Sequence, residues 1–338
     1  MYRLADLSAG SPVTLIGESG APSWARRGAA IREVWHDYVG ALPAPVPVSV
    51  RVSDETVADG VRRQHLTYSA PAGVEVPAFL LSPDPLPRTQ LPAVLALHPT
   101  DAAGKDVPAG RVGTPDLHYG LELAQRGYVV LAPDAVTMGE RVDIGEEPIS
   151  TFAFDRSHPG FTAVGRMIVD HRQGIDVLTS LPHVNQRAIG AIGHSLGGYN
   201  AFFLAGADGR VAATVCNCGF GMFADDPWPD RWCKDQHSDF DHLPSLKGDL
   251  QQGLVPWEWH EILALVAPRP LLVAWDRIDE IFPNASAIGG GLTEVARLYR
   301  VLGHEKDFVT NCGSTGHAFP SMTRGRAFAF LDQALASA

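Results

Sequence analysis

The chain has 338 residues, of which 45% are hydrophobic, and its formal net charge is -11 at pH 7. This length suits one large domain with additions better than two equal domains. The acidic balance, with no run of Lys and Arg, argues against nucleic acid or an anionic membrane as partner and favours a small molecule.

The N-terminal sequence and the cysteines bear on where the protein acts. Residues 1–8 have no apolar stretch of signal-peptide length, and no segment approaches the length of a membrane span. Cys216 and Cys218 alternate on an apolar segment and are expected to be small buried hydrophobes. We therefore predict a cytoplasmic protein, and the sequence leaves open whether it forms a homo-oligomer.

The first sixty residues predict a short helical arm. Residues 22–41 have aromatic and aliphatic side chains at near-helical spacing, and Pro43 is the first of several prolines that end the helix. We divide the chain into an N-terminal arm, residues 1–60, and a domain of residues 61–338.

The domain begins with a predicted antiparallel hairpin, residues 61–69 and 74–81. Strands and helices then alternate along the chain: strand 93–97, helix 117–125, strand 128–132, helix 165–181, strand 188–192, helix 199–205 and strand 211–218. This alternation predicts an α/β fold with a mostly parallel central sheet that is flanked by helices.

A serine stands in the turn between a predicted strand and a predicted helix. Residues 193–198 have the sequence GHSLGG, which matches Gly-x-Ser-x-Gly. We expect the glycines two before and two after Ser195 to face each other, where a side chain would open the turn. The alternative is a serine that occurs at a turn by chance.

A nucleophilic serine needs backbone N–H donors for the charge that develops on the substrate oxygen. The N–H of Leu196, directly after the serine, is one predicted donor. The second is expected from the loop that follows residues 93–97. Pro99 in that loop has no N–H, and Thr100 is therefore the predicted second donor.

Residues 219–258 interrupt the alternation with aromatic residues among glycines, prolines and carboxylates. Loops at the carboxyl ends of strands face the site in such folds. We predict a lid, with Trp228, Trp232 or Trp257 in contact with substrate. The alternative is a surface excursion whose aromatic side chains attach it to the core.

The same insertion contains side chains that could ligate a metal, namely Asp235, His237, Asp239, Asp241 and His242. Their irregular spacing favours a solvated polar loop over a metal site. We predict neither a metal nor an organic cofactor.

An acid and a histidine follow in the order that an α/β-hydrolase requires. Residues 270–275 have the pattern of a buried strand, and both Asp276 and Asp279 in the loop after it could supply the carboxylate. A last short strand, residues 306–310, leads into a glycine-rich loop that ends at His317, the predicted base. The carboxylate would orient the imidazole and stabilise its protonated form.

Four segments together resemble the dienelactone-hydrolase-like branch of the α/β-hydrolases, near acetyl xylan esterases and the catalytic domains of prolyl oligopeptidases. They are residues 97–98, 124–134, 187–198 and 267–272, and the resemblance extends over most of the chain from about Leu66. It implies an acid four residues before a proline, which selects Asp279 with Pro283. The chain departs from dienelactone hydrolase itself in having Ser195 in place of cysteine, and from the usual pattern in having Pro99 in place of glycine.

Other polar residues near the predicted site have two interpretations each. His98 and His194 lie at strand ends, where an imidazole more often binds backbone groups than transfers protons. Glu140 and Arg141, in a Gly-Glu-Arg segment that resembles one in related esterases, could line the pocket or form a structural ion pair.

These residues predict a serine carboxylesterase that acts on a small-molecule ester. Ser195 would attack, His317 would transfer protons, Asp279 would orient the imidazole, and water would hydrolyse the acyl-enzyme. Two alternatives remain: a peptidase or amidase of the prolyl-oligopeptidase type, and a non-catalytic binding protein of hydrolase fold.

Overall fold

The computed structural model describes residues 1–17, 20–233 and 239–336. Its strands are β1 (Tyr2–Arg3), β2 (Val50–Ala58), β3 (Val61–Ala70), β4 (Val74–Pro83), β5 (Leu91–Leu97), β6 (Val129–Pro133), β7 (Val184–His194), β8 (Ala213–Asn217), β9 (Leu254–Val255), β10 (Leu271–Asp276) and β11 (Phe308–Gly313). Its helices are α1 (Ala21–Val39), α2 (Tyr119–Gln125), α3 (Phe152–Ser157), α4 (Ala163–Ser180), α5 (Leu196–Ala207), α6 (Leu246–Gln251), α7 (Trp259–Leu263), α8 (Ala285–Val301) and α9 (Ser321–Ala336).

One sheet forms the centre of the described part, in the order β11-β10-β8-β7-β5-β6-β4-β3-β2. The strands from β11 to β6 pair in parallel, whereas β4, β3 and β2 continue the sheet as an antiparallel meander. The predicted fold class, with a hairpin before a mostly parallel sheet, is confirmed.

The parallel strands are buried on both faces because helices cover both faces. Leu95 on β5 faces one hydrophobic cluster, and its neighbours Val94 and Ala96 face the other. On the first face, α4 and α5 pack on the central strands, while α2 and α9 cover the second. The carboxyl ends of the parallel strands therefore meet at one edge, where their loops can form a site.

The N-terminal sixty residues contain the predicted helix and also two strands that the sequence analysis missed, β1 and β2. α1 packs Trp35 against Phe203 and Trp257, with ring centroids 4.8 and 5.2 Å apart. β2 is the edge strand of the large sheet, paired with β3. Every residue of β2 is exposed, and the strand therefore has no buried side for a sequence pattern to reveal.

Across the described ranges, none of the helices combines the length and the apolar character that a membrane span requires.

α4 places a histidine in the core. His171 is 2% exposed, and its Nδ1 has no hydrogen-bond partner among the described residues. Burial lowers the pKa of His171 from 6.5 to about 3, because desolvation disfavours the charged ring. The folded protein therefore holds this imidazole neutral at pH values where an unfolded chain would protonate it.

We predict that His171→Gln makes the free energy of unfolding less sensitive to acid. A histidine with a lowered folded-state pKa contributes stability that is present above pH 6.5 and is lost as the pH falls towards 3. Between pH 7.5 and 5.0 the loss from this one group is about 2 kcal/mol. Urea unfolding of both proteins at the two pH values measures it, and equal losses would contradict the assignment.

Candidate active site

Ser195 lies in a sharp turn between β7 and α5, with φ 55° and ψ -120°. The turn leaves no room for side chains around it. A Cβ on Gly193 would lie 2.1 Å from the carbonyl carbon of Gly197, and a Cβ on Gly197 would lie 1.8 Å from the carbonyl oxygen of Leu97. The two glycines thus face each other as the motif predicts, and the serine is raised at the carboxyl edge of the sheet.

His317 and Asp279 come together from the loops after two neighbouring strands, β11 and β10. His317 Nδ1 lies 2.9 Å from Asp279 Oδ2 and 3.0 Å from Oδ1. The backbone amides of Ile281 and Phe282 also donate to Asp279 Oδ1. Burial opposes ionisation, but these hydrogen bonds hold the pKa of the Asp279 carboxyl below its usual range.

Asp276, the other candidate acid, holds the loop instead of the imidazole. Its carboxylate accepts hydrogen bonds from the backbone amides of Ile278, at 3.0 Å, and Thr315, at 2.6 Å. A Cβ on Gly313 would lie 2.4 Å from Asp276 Oδ2. Asp276 therefore anchors the segment that leads to His317, whereas Asp279 contacts the ring.

The loop after β5 contributes Pro99, Thr100 and Asp101 to the wall of the site. His98 orients this loop, since its Nδ1 lies 2.6 Å from the carbonyl oxygen of Pro99 and its Nε2 accepts from the amide of Ala135 at 2.9 Å. Burial lowers the pKa of His98. As the sequence predicts, this histidine binds backbone groups.

The two predicted N–H donors belong to Leu196, directly after Ser195, and Thr100, directly after Pro99. Leu196 is the first residue of α5, so its N–H precedes the helical hydrogen-bond ladder. Within the part of the chain that the structure describes, neither Leu196 N–H nor Thr100 N–H has a protein acceptor. Both remain available to a bound oxygen.

A cavity of about 800 Å³ contains these groups. Ten of its lining residues lie outside the 219–258 insertion, namely Pro99, Thr100, Asp101, Leu117, His194, Ser195, Tyr199, Ile281, Phe282 and His317. Residues of the insertion also line the cavity, namely Trp228, Arg231, Trp232 and His242. The insertion therefore borders the site, and its role as a lid stays a prediction.

Comparison with known proteins gives the family context. Residues 110–230 match the sequence profile of the Dienelactone hydrolase family. A protein of Bacillus subtilis (strain 168), provisionally named hydrolase YtaP, is 26% identical over 305 residues, which cover 87% of this chain and 95% of the relative.

Two solved structures have a similar fold. A glucuronoyl esterase from Solibacter usitatus superposes with a TM-score of 0.70 at 16% identity, over 97% of this chain and 99% of the esterase. A protein of Bacteroides fragilis NCTC 9343, provisionally named an acetyl xylan esterase, gives 0.69 at 16% identity, over 91% of this chain and 80% of its own. The chain has the α/β-hydrolase fold. The resemblance inferred from the sequence is confirmed at this level.

The three tryptophans predicted to contact substrate have different positions in the structure. Trp228 is 47% exposed at the cavity, and Trp232, which is 3% exposed, also lines it. Trp257 does not line the cavity. Its ring packs edge-on against Trp35 and Tyr38 of α1, at 5.2 and 4.9 Å between centroids. The prediction for Trp257 is wrong because its ring attaches the insertion to the N-terminal helix.

Sequence reasoning missed one charged residue on the cavity wall, Arg231. Arg231 is paired with Asp226 at 2.7 Å, and its guanidinium also donates to the carbonyl oxygen of Ile281, in the loop after Asp279. The guanidinium lies over the rings of Trp228 and Phe282, at 5.6 and 5.2 Å from their centroids. No spacing in the sequence signals this contact, because it joins two loops distant in the chain.

Two further residues of the wall form a polar pair. The hydroxyl of Tyr199 and Nε2 of His242 lie 2.6 Å apart. Burial lowers the pKa of His242 to about 3, and the ring is therefore neutral at physiological pH.

The candidate metal ligands of the insertion are not all exposed to solvent, as a solvated polar loop would require. Asp235 and His237 lie outside the described residues, whereas Asp241 is 8% exposed and His242 borders the cavity. Elsewhere in the described ranges, Cys218, Asp279 and His317 have ligand atoms within 4.8 Å of one another. Burial raises the pKa of the Cys218 thiol, which disfavours the thiolate that a metal requires.

Glu140 and Arg141 form ion pairs away from the cavity wall. Arg141 Nη1 lies 2.7 Å from Asp170 Oδ2, and Glu140 pairs with the buried Lys105 and with His65. Of the two interpretations, the structural one is confirmed.

We predict that Trp257→Ala lowers the free energy of unfolding by about 3–5 kcal/mol, because it removes a ring buried between α1 and the insertion. Trp228→Ala, the matched change at an exposed ring, is expected to cost about 1 kcal/mol or less. Chemical denaturation of the two variants and the parent provides the comparison. Equal losses would contradict the distinction between packing and cavity tryptophans.

Proposed function

We propose that this hydrolase cleaves carboxylic esters by nucleophilic catalysis, with Ser195 as nucleophile, His317 as base and Asp279 as the carboxylate that orients the imidazole. One observation carries the proposal. His317 Nδ1 is 2.9 Å from Asp279, and both His317 and Ser195 line one cavity beside the turn that exposes the serine.

In this proposal each nitrogen of His317 has its own role. Nδ1 donates to Asp279, so the unprotonated Nε2 is the nitrogen left to accept the Ser195 proton as Oγ attacks the carbonyl carbon. The imidazolium that forms is stabilised by Asp279 and returns its proton to the leaving alkoxide oxygen. Water then attacks the acyl-enzyme with His317 again as base, which releases the carboxylic acid and restores Ser195.

The charge that develops on the substrate oxygen is met by the amides of Leu196 and Thr100. Fixed N–H donors cost no reorganisation during the reaction, and loss of one such donor in a serine hydrolase typically costs 10²–10³ in kcat. Pro99 does not prevent this arrangement, because the donor is the next residue along the loop.

Relatives and chemistry favour an ester over an amide. The two similar structures described above are named as esterases. An alkoxide also leaves a tetrahedral intermediate more readily than an amide anion, so an amide nitrogen must be protonated before it can leave. A cavity with four aromatic side chains near Ser195, those of Tyr199, Trp228, Trp232 and Phe282, suits an apolar or ring-bearing substituent. The four free cysteines are compatible with action in a reducing compartment, and the cytoplasmic location stays a prediction.

We predict that Ser195→Ala lowers turnover of chromogenic esters by several orders of magnitude and abolishes labelling by a fluorophosphonate, without loss of the folded state. Removal of the nucleophile leaves only the residual rate that binding and the oxyanion donors supply. The panel contains acyl esters, acetylated sugars and aminoacyl anilides. Turnover of anilides above esters would favour a peptidase, and no turnover of any substrate by the parent would favour a binding protein.

We predict that Asp279→Asn lowers kcat by roughly 10²–10⁴-fold, because an amide cannot hold the imidazole with its basic nitrogen towards Ser195. Asp276→Asn, the matched change three residues earlier, is expected to reduce kcat far less and to act through loop stability. Steady-state kinetics of both variants on one ester decide between the two carboxylates. The reverse order of effects would assign the acid to Asp276.

A further inference from the structure

Asn217, the last residue of β8, contacts both halves of the candidate catalytic machinery. It is 1% exposed. Its backbone carbonyl accepts from the amide of Ser195 at 2.9 Å. Its side-chain Nδ2 donates to the carbonyl oxygen of Ala318, the residue after His317, at 3.0 Å.

The same nitrogen determines the protonation of a second histidine. Asn217 Nδ2 lies 2.8 Å from Nδ1 of His194. A carbonyl oxygen can only accept, so the nitrogen of the amide must face Ala318, and its second hydrogen then points to His194. His194 Nδ1 is therefore an acceptor, and the neutral ring carries its proton on Nε2.

The ring of His194, whose protonation Asn217 determines, lies against the ring of His317, the proposed base. Its ring centroid lies 4.8 Å from that of His317. Burial is the main reason that the pKa of His194 falls to about 3, with the neighbouring His317 as a further cause. A neutral His194 can lie against His317 as His317 becomes positively charged, whereas a protonated His194 would repel it.

Asn217 is the stronger of two donors to the Ala318 carbonyl. The other is the Cys218 thiol, at 3.5 Å, and a thiol is a weak donor. The loop after β11 is thus tied to the end of β8 mainly by the side-chain amide of Asn217, and the backbone carbonyl of the same residue binds the amide of Ser195.

We propose that Asn217 is a positioning residue that sets the separation of Ser195 from His317 by bonding the serine backbone, the Ala318 carbonyl and the ring of His194. The proposal rests on the proposed function, since the separation matters only if the two groups exchange a proton. A misplacement of reacting groups by about 1 Å can cost 10²-fold in rate.

Two substitutions test this role. Asn217→Asp keeps the shape of the side chain but removes both donated hydrogen bonds, and Asn217→Ser is a second variant in case the first fails to fold. The matched control is Asn284→Asp. Asn284 is a buried asparagine that also donates to two backbone carbonyls, those of Met222 and Ala224, at 2.8 Å each.

The kinetic readout separates positioning from general destabilisation. We expect the Asn217 variants to lower kcat by about tenfold to a hundredfold with KM within about threefold, whereas Asn284→Asp lowers thermal stability with kcat within about threefold. A kcat of either folded Asn217 variant close to that of the parent, or a fall no larger than in the Asn284 control, would overturn the proposal.

The spectroscopic readout needs no substrate. Imidazole nitrogen NMR of the parent should show His194 as a neutral ring protonated on Nε2 from pH 5 to 8. In Asn217→Asp the new carboxylate can accept a hydrogen bond from Nδ1 of His194. Nδ1 should therefore also become protonated within that pH range, which makes the His194 ring positively charged, and the His317 signals should shift. A parent His194 protonated on Nδ1, or unchanged His317 signals, would overturn the proposal. Lack of esterase activity in the parent would instead refute the proposed function, with these spectra still decisive for Asn217.

Discussion

The absence of side chains at Gly193 and Gly197 is the constraint on which the site depends. A Cβ at Gly197 would lie 1.8 Å from the carbonyl oxygen of Leu97 and would overlap it. The backbones of β5, β7 and the first turn of α5 are therefore in direct contact, with no space for a side chain between them. That contact brings the loop after β5, with Thr100, beside the serine. It also leaves the first N–H of α5, that of Leu196, without a helical acceptor, as the proposed role of this group as an oxyanion donor requires.

Parallel pairing then supplies the other two groups from distant parts of the chain. β10 and β11 are neighbours in register, with Asp276 opposite Gly313, and both strands end at the same edge of the sheet. Asp279 and His317 each lie a few residues beyond the end of one of these strands. They therefore come together in space although they are distant in the sequence. Asp276 uses this register to bind the amide of Thr315, and the loop that leads to His317 is stabilised by the strand that supplies the acid.

The features that the sequence could predict are those with a local physical signature. The turn at Ser195 has its own glycines, and the strands of the sheet have buried apolar runs. The rest depends on contacts between distant segments. Trp257 and Trp228 look alike in the sequence, yet one packs on α1 and the other lines the cavity. β2 has no buried face, and the role of Arg231 arises from a loop fifty residues away. Asn217 is one asparagine in an apolar strand, and its contacts exist only after the sheet has formed.

The loop after β5, which carries the proposed oxyanion donor Thr100, is held by a buried ion pair. The loop that carries His317 is held instead by the side-chain amide of Asn217. Asp134, which is fully buried, accepts from the amide and the Nζ of Lys105 at 2.8 and 2.7 Å, and a Cβ on Gly104 would lie 2.2 Å from its carboxylate. Loss of Lys105 would leave the carboxylate of Asp134 in the core without its charged partner. Lys105 lies five residues after Thr100, and His98 is bonded to Ala135, the residue after Asp134. Residues directly after β6 therefore hold both ends of the loop that carries Thr100. In the same way, the last residue of β8 holds the loop that carries His317.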